Sequence, residues 1–98
     1  MLVKIIKSYR EVVAICDTNL LGKKFEQGKF QLDIKESFYN GEEKNSDETI
    51  QIMQEMSKED ATFNIVGEKS VQCALDAGII SEDGIKKIEG IPFALILL

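Results

Sequence analysis

The 98-residue chain contains no histidine. Histidine is the side chain whose unperturbed pKa best suits proton transfer near neutral pH, and it is the commonest ligand of transition metals. Its absence excludes every mechanism and metal site that depends on an imidazole. We therefore expect no catalytic residues, no cofactor and no metal site. The acidic run near the chain's middle fits the start of a helix, where the dipole favours carboxylates, better than a cation site.

Cysteine is scarce as well, with only Cys16 and Cys73. Neither belongs to a Cys-x-x-Cys pair of the zinc or redox type, and two thiols make no disulfide framework. Lys4, Lys7 and Arg10 interrupt the apolar N-terminal stretch, which argues against a secretory signal. We expect buried, unreactive thiols and a cytoplasmic protein.

Long hydrophobic runs are missing too. The longest, Phe93 to Leu98, has six residues, whereas a helix that spans a bilayer needs roughly 18 or more. We therefore expect no membrane association. The composition, 44% hydrophobic and 30% charged with one proline, is typical of a folded protein, and the length suits a single domain over residues 1–98.

The chain has fewer basic than acidic residues, 12 against 17, and its net charge is -5. By segments the balance is +3 for residues 1–35, -6 for 36–60 and -2 for 61–98. An acidic total argues against a protein that grips nucleic acid mainly by neutralising phosphates, so DNA is an unlikely partner. A small basic patch in the first segment remains compatible with RNA.

The hydrophobic pattern predicts strands near both ends of the chain. Leu2–Ser8 is rich in β-branched residues, and Val12–Cys16 is continuously apolar, as in a strand covered on both faces. Apolar and polar residues alternate over 30–35, which indicates a half-exposed strand in a hairpin or at an edge. Ile85–Glu89 and Ile91–Leu98 predict two final strands, the last of them central in the sheet.

The middle of the chain predicts two amphipathic helices. The first begins at a cap, Asn45 or Ser46, and runs to about Ser57. The second runs from a cap at Asn64 to Gly78, which takes the left-handed conformation that ends a helix. Their buried stripes are Ile50, Met53 and Met56 in the first, and Val71, Ala74 and Leu75 in the second. The predicted fold is α/β of the α+β type: one small domain with a mixed or antiparallel sheet of about five strands and two main helices on one face.

Five separated motifs match one family in order. They are Leu21–Phe25, Ser37–Gly41, Asn64–Lys69, Ala77–Ile80 and Gly90–Ala94. Together they resemble an archaeal family of small uncharacterised proteins, domain of unknown function 424. The resemblance implies a cytosolic archaeal protein of one domain and names no activity. The chain departs from the commoner pattern at Phe93, where relatives often have a histidine, so a family mechanism based on that imidazole would not apply here.

Two stretches are candidate binding sites. At the predicted helix start, Asn64, Gly67 and Lys69 would surround free backbone N–H groups and the positive end of the dipole, which suits an anion. The alternative is that Asn64 merely caps the helix and Gly67 lets the helix pack closely on the sheet.

The second candidate stretch combines cations with aromatic rings. Lys23, Lys24 and Phe25 pair charge with a ring that could contact the phosphate and base of RNA, and Tyr39 could add a stacking surface. The alternative is a solvated loop with both rings in the core.

The leading interpretation is a cytosolic binding domain, not an enzyme, with RNA, a ribonucleoprotein or a translation assembly as partner. The alternative is a small enzyme that acts on an anionic metabolite bound near Gly67. The apolar C-terminal strand also suggests a homodimer.

Overall fold

The computed structural model describes residues 1–97, which form eight strands, three α-helices and two short 3₁₀ helices, Thr18–Leu20 and Glu82–Gly84. The strands are Leu2–Ile6 (β1), Val12–Cys16 (β2), Lys24–Gln27 (β3), Phe30–Asp33 (β4), Glu42–Glu43 (β5), Thr62–Val66 (β6), Lys86–Ile88 (β7) and Ile91–Ile96 (β8). The helices are Glu36–Tyr39 (α1), Ser46–Lys58 (α2) and Glu68–Ala77 (α3). Among these residues, no helix combines the length and the apolar character that crossing a membrane requires.

Six strands form one mixed sheet in the order β5-β1-β2-β6-β8-β7. β2 and β6 run parallel, and the other neighbours in the sheet are antiparallel. β3 and β4 make a separate hairpin. The predicted α+β domain with a mixed sheet is confirmed, and the sheet has six strands rather than about five.

Helices α2 and α3 pack on one face of the sheet, as predicted. They enclose the helix-side core, in which alternate residues of the central strands meet the apolar faces of both helices. Its buried members include Val13, Ile15, Met53, Phe63, Ile65, Val71 and Ala74. On the outer side of α3, Glu68, Gln72 and Asp76 are exposed, so the helical spacing predicted the two sides of this helix correctly.

The β3–β4 hairpin and α1 cover half of the opposite face. They enclose the hairpin-side core, whose buried members are Leu2, Ala14, Cys16, Leu20, Ile34, Tyr39 and Val66. The half-buried Phe25, Leu32 and Phe93 pack against it. Cys16 is fully buried, as predicted for a strand covered on both faces. The short helix α1 was not predicted, because its aromatic residues precede an Asn-Gly pair and suggested a turn.

Helix α2 begins where its local sequence predicts. The Asn45 side chain accepts a hydrogen bond from the Glu48 N–H at 2.8 Å, and the Glu48 carboxylate accepts from the Asn45 N–H at 3.0 Å. This reciprocal capping box satisfies two backbone donors that the helix itself leaves free. The helix ends at Lys58, one residue beyond the predicted end.

The predicted start of the second helix is wrong. Residues 62–66, expected to be a connection and the first helical turn, form β6, and Asn64 pairs with Ala14 on one side and Leu95 on the other. The helix begins at Glu68 after Gly67, and Asn64 caps nothing. Two flanking strands supply the hydrogen bonds of β6, and this tertiary pairing outweighs the local preference of Asn64 for a helix cap.

The predicted end of the same helix is confirmed. Gly78 has φ 76°, in the left-handed region, and its N–H donates to the Leu75 carbonyl at 3.0 Å. The Ile79 N–H donates to the Ala74 carbonyl at 3.2 Å. These two bonds form the Schellman arrangement that a glycine at this position predicts.

The C-terminal strand lies inside the sheet, as predicted. β8 pairs with β6 on one side and with β7 on the other. Leu98, the last residue of the predicted strand, lies outside the described residues. Because β7 pairs with β8 only over residues 91–93, a homodimer seam could use the rest of that edge or the side chains of β8, of which Leu95 is 53% exposed. The homodimer stays a prediction.

Candidate functional site

The start of helix α3 is capped by a carboxylate from another strand. Asp17 follows β2 and is 8% exposed. Its Oδ1 accepts hydrogen bonds from the Ser70 N–H and the Ser70 hydroxyl, both at 2.8 Å, and its Oδ2 accepts from the Lys69 N–H at 3.1 Å. The negative charge also lies at the positive end of the helix dipole. Asp17 therefore does for α3 what Asn64 was expected to do.

Gly67 makes this approach possible. Its φ of 109° lies in the range that favours glycine, and an added Cβ would overlap the carboxyl group of Asp17. The backbone on either side is tied down, because the Gly67 N–H donates to the Pro92 carbonyl at 2.8 Å and the Asp17 N–H donates to the Val66 carbonyl at 3.0 Å. Strand, glycine and helix start thus form one rigid corner.

Asp17 caps the same helix start at which an anion was predicted to bind. Two backbone donors of the first turn of α3, the Lys69 and Ser70 N–H groups, already bind Asp17, so an anionic ligand there would have to displace a buried carboxylate and would be repelled by its charge. Lys69 is exposed, and so is Glu68 beside it. Asn64 lies within β6 and is not part of this corner.

A polar cleft of about 440 Å³ opens next to the corner, at the carboxyl ends of the parallel strands β2 and β6. Ligands often bind at such a position in α/β sheets. The lining residues are Met1, Asp17, Thr18, Asn19, Glu43, Glu68 and Lys69. Of the predicted anion site, the cleft therefore contains Lys69, whereas Asn64 and Gly67 are not among its lining residues.

Glu43 is a second hydrogen-bonded carboxylate in this cleft, besides Asp17. Its carboxylate accepts from the Met1 amino group at 2.6 Å and from the Thr18 hydroxyl at 2.8 Å. These two hydrogen bonds, together with the positive charges of Met1 and Lys69, lower the pKa of Glu43. A carboxyl whose pKa is lowered has no proton to donate at neutral pH and is a weaker proton acceptor, which makes it a poor general acid and a poor general base. Within residues 1–97, no three acidic or sulfur ligands converge on a point that suits a metal ion.

The two thiols are free and buried. Burial, followed by the charge of Asp17, raises the pKa of Cys16 to about 11. Burial also raises the pKa of Cys73. Only a thiolate is a strong nucleophile, so at neutral pH neither sulfur is activated.

The four residues predicted to bind RNA do not form a stacking surface. Lys23 and Lys24 are exposed, but Phe25 is half-buried and packs on the hairpin-side core. Tyr39 is 7% exposed, and its ring lies 5.0 Å from that of Phe38 in an edge-to-face arrangement. Burial raises the pKa of Tyr39 to about 12. The cations of this set are therefore accessible, whereas the faces of both rings are used inside the protein.

An exposed ring lies elsewhere, at the tip of the β3–β4 hairpin. Phe30 is 72% exposed. It stands beside a groove of about 220 Å³ lined by Gln27, Phe30, Lys86, Lys87, Ile88 and Phe93. The alternation of residues 30–34 predicted that Phe30 would share the buried side of its strand. The hairpin extends past the core at its tip, so this ring remains accessible while Ile34 is fully buried.

Hydrogen bonds fix the hairpin to the turn between β7 and β8. The Glu26 N–H donates to the Glu89 carboxylate at 2.8 Å, and the Glu89 N–H donates to the Gln27 side-chain oxygen at 2.7 Å. The two walls of the groove, one from the hairpin and one from β7, are therefore held together. The sequence signal for this site was the Lys86–Lys87 pair, but only the fold shows that it lies beside Phe30.

The fold and these surfaces define the class: a small α+β domain with a basic and aromatic groove and, over residues 1–97, no metal-binding cluster. The chain belongs to the family described as Protein of unknown function (DUF424), which matches residues 6–98. The motif resemblance seen in the sequence is thus confirmed.

A solved structure supports the fold. The chain is similar to an uncharacterised conserved protein from Methanopyrus kandleri, with a TM-score of 0.87 and 29% sequence identity. The similarity covers 97% of this chain and 88% of the other. No curated protein matches the chain. The comparisons therefore establish the family and the fold, and neither brings an activity with it.

Proposed function

We propose that this protein is a non-enzymatic binding domain that holds single-stranded RNA in the groove between the hairpin tip and β7. The observation that carries the proposal is the 72% exposed ring of Phe30 in one groove with Lys86 and Lys87. A large aromatic side chain left in water beside two cations is typical of surfaces that stack bases and pair with phosphates.

Different residues of the groove offer contacts for a base and for a phosphate. Phe30 offers a ring face, and Ile88 and Phe93 form an apolar floor. The two lysines are exposed on the edge strand β7 and carry the positive charge that a phosphate needs. Lys86 projects to the same face as its partner Phe93 in the groove, and Lys87 projects to the other face of this edge. Stacking of one base on an aromatic ring contributes about 1–3 kcal/mol. One base held by Phe30 and two phosphates held by the lysines would give weak, salt-sensitive binding.

A single strand suits this groove better than duplex DNA. Bases within a duplex are stacked on one another and cannot reach Phe30 without being extruded. Duplex binding rests on many phosphate contacts, and the net charge of -5 opposes it. We also propose the cytosol as the compartment, which the free thiols support because a reducing environment preserves them. A ribonucleoprotein, such as a translation assembly, would present such a strand.

The test is a titration of a fluorescein-labelled oligouridine RNA with the full chain, read by fluorescence anisotropy at 25–200 mM KCl as the chosen range. We expect Phe30→Ala to weaken binding by about 5-fold to about 150-fold, because it removes one stacking contact. For the wild-type chain we expect a slope of log K against log salt of about -1.4, which replacing both Lys86 and Lys87 by alanine should reduce to near zero.

Two control variants separate this groove from the rest of the surface. Tyr9→Ala removes a fully exposed ring at the turn between β1 and β2. The double variant with Lys23→Ala and Lys24→Ala removes an exposed lysine pair at the other end of the hairpin. Both controls should bind as the wild type does. The proposal is overturned if the chain does not bind the RNA at 25 mM KCl, or if Phe30→Ala leaves the affinity unchanged. Equal binding of oligodeoxyuridine would show that the groove does not distinguish RNA from single-stranded DNA.

A further inference from the structure

Strand β1 is covered on its outer side over only half of its length. The outermost strand β5 pairs with Leu2 and Val3 and no further. Before β5 in the chain, Gly41 lies so close to β1 that an added Cβ would overlap the Val3 carbonyl. The residues before Gly41 do not run along β1, because they belong to the end of α1, where the Asn40 N–H donates to the Glu36 carbonyl at 2.9 Å. Within the described part of the chain, residues 4–6 therefore have no sheet neighbour on this side.

The hydrogen bonds around β1 show which backbone groups face this open side. Met1 and Lys44 exchange two bonds, from the Met1 amino group to the Lys44 carbonyl at 3.0 Å and from the Lys44 N–H to the Met1 carbonyl at 2.8 Å. Bonding direction alternates along an antiparallel strand. Val3 and Ile5 therefore turn their N–H and C=O groups to the same side as Met1, which is the side of β5.

The hydrogen bonds of β2, the inner neighbour of β1, independently check the direction of the Ile5 backbone groups. Its flanking residues bond to the parallel strand β6, from the Thr62 N–H to the Glu11 carbonyl at 3.0 Å and from the Asp17 N–H to the Val66 carbonyl at 3.0 Å. By alternation the odd-numbered residues of β2 face β6, and the even-numbered ones face β1. The partners of the even residues are Leu2, Lys4 and Ile6, which leaves the backbone of Ile5 directed outward.

A cleft of about 530 Å³ adjoins this open edge. Ile5, 42% exposed, lies on one side, and Ile52 of α2 contributes apolar surface on the other. Gly41 and Asn40 border the cleft toward β5. An unpaired backbone donor and acceptor next to an apolar hollow is the arrangement that proteins use to bind an extended peptide by adding a strand to a sheet.

We propose that an extended segment of a partner protein adds to β1 as a further strand, with its backbone hydrogen-bonded to Ile5 and an apolar side chain in the cleft beside Ile52. The lysines around the cleft already have partners. The Lys44 ammonium lies 3.2 Å from Glu42, and the Lys4 ammonium donates to the Ser37 carbonyl at 2.9 Å. With these ammonium groups held in place, Ile5 and Ile52 remain as the apolar contacts of the cleft, and they suit an apolar side chain.

A second copy of this chain fits the edge less well. Antiparallel pairing of two β1 strands about Ile5 would place Lys7 of one copy opposite Val3 of the other. That position is already taken by Glu42 of β5. A short segment from another protein meets no such obstruction, since it can end or turn away at Gly41. The proposed RNA groove lies at β7, the opposite edge of the sheet, so the two proposals stand or fall separately.

The test starts from a phage-displayed library of random dodecapeptides selected on the full chain. We expect selected peptides to carry an apolar residue flanked by residues of high strand propensity. Two synthetic versions of the tightest peptide then carry one backbone N-methyl group each. Methylation of the amide that meets the Ile5 carbonyl should weaken binding by about tenfold or more, whereas methylation of the next amide, which points away from β1, should have little effect.

Variants of the protein supply the matched comparison. Ile5→Pro removes the outward N–H without removing a ladder bond to β2, and Ile5→Val keeps this N–H and a β-branched apolar side chain. Peptide binding should be lost in the first variant and kept in the second and in Phe30→Ala. If Ile5→Pro fails to fold, the two methylated peptides decide the question. The proposal is overturned if no library peptide binds, if both methylated peptides bind equally, or if the peptide perturbs the backbone NMR signals of β7 rather than those of β1.

Discussion

At the scale of single residues, Gly67 is a glycine that two independent constraints require. It combines a backbone conformation that L side chains rarely adopt with the close approach of Asp17. Gly78 has a positive φ of 76° but an open surrounding, and Gly84 has neither constraint. Alanine variants at these three glycines therefore compare a position with a positive φ and an overlap, a position with a positive φ alone, and a position with neither.

We expect Gly67→Ala to destabilise the protein by about 3 kcal/mol or more, because φ 109° and ψ 157° lie in a region that is nearly restricted to glycine. The added strain is about 1–3 kcal/mol, and displacing the Asp17 cap costs about 1–2 kcal/mol more. Gly78→Ala should cost only the strain, and Gly84→Ala should be nearly neutral. Urea denaturation followed by circular dichroism measures the three free energies of unfolding. Equal losses at positions 67 and 78 would show that the overlap with Asp17 is relieved at no cost.

At the scale of elements, helices α2 and α3 begin by different means. The cap of α2 lies three residues from the backbone groups it binds, so the spacing of Asn45 and Glu48 predicts it. The cap of α3 comes from Asp17, more than fifty positions earlier in the chain. A local pattern cannot reveal such a partner, which is why Asn64 was assigned a role that Asp17 performs.

Removing the local cap should have a moderate effect. We expect Asn45→Ala to lower the free energy of unfolding by about 1 kcal/mol, because the Glu48 N–H loses its acceptor. Asp47→Ala in the same helical turn is the control, since Asp47 contributes charge but no capping hydrogen bond, and it should cost less. Chemical denaturation of both variants tests this, and a larger loss for Asp47→Ala would contradict the assigned cap.

At the scale of the whole molecule, two buried titratable groups of the hairpin-side core, Cys16 and Tyr39, make the free energy of unfolding depend on pH. Burial raises the pKa of Cys16 from 9.0 to about 11 and that of Tyr39 from 10.0 to about 12. Each group is neutral when protonated, so the unfolded chain releases these protons at a lower pH than the folded one. The stabilisation is complete below about pH 9 and is lost as pH rises through the folded-state values.

We therefore expect the free energy of unfolding to fall as pH rises from 8 to 10.5, a range chosen to span the ordinary pKa of both groups. Cys16→Ala removes one of the two contributions and should flatten this dependence, even though the smaller side chain lowers stability at pH 7. Urea titrations across this range provide the measurement. An equally steep decline in Cys16→Ala would show that the thiol has no part in it.

The sequence by itself determined the features that depend on neighbours along the chain. These were the family, the α+β class, the buried strand that ends at Cys16, the α2 cap and the glycine end of α3, because periodicity and capping act over a few residues. Tertiary structure alone decided that residues 62–66 are a strand and that Asp17 caps α3. It also decided that Phe25 and Tyr39 turn inward while Phe30 turns outward. Pairing, burial and exposure depend on groups far apart in sequence, and these contacts exist only once the sheet has formed.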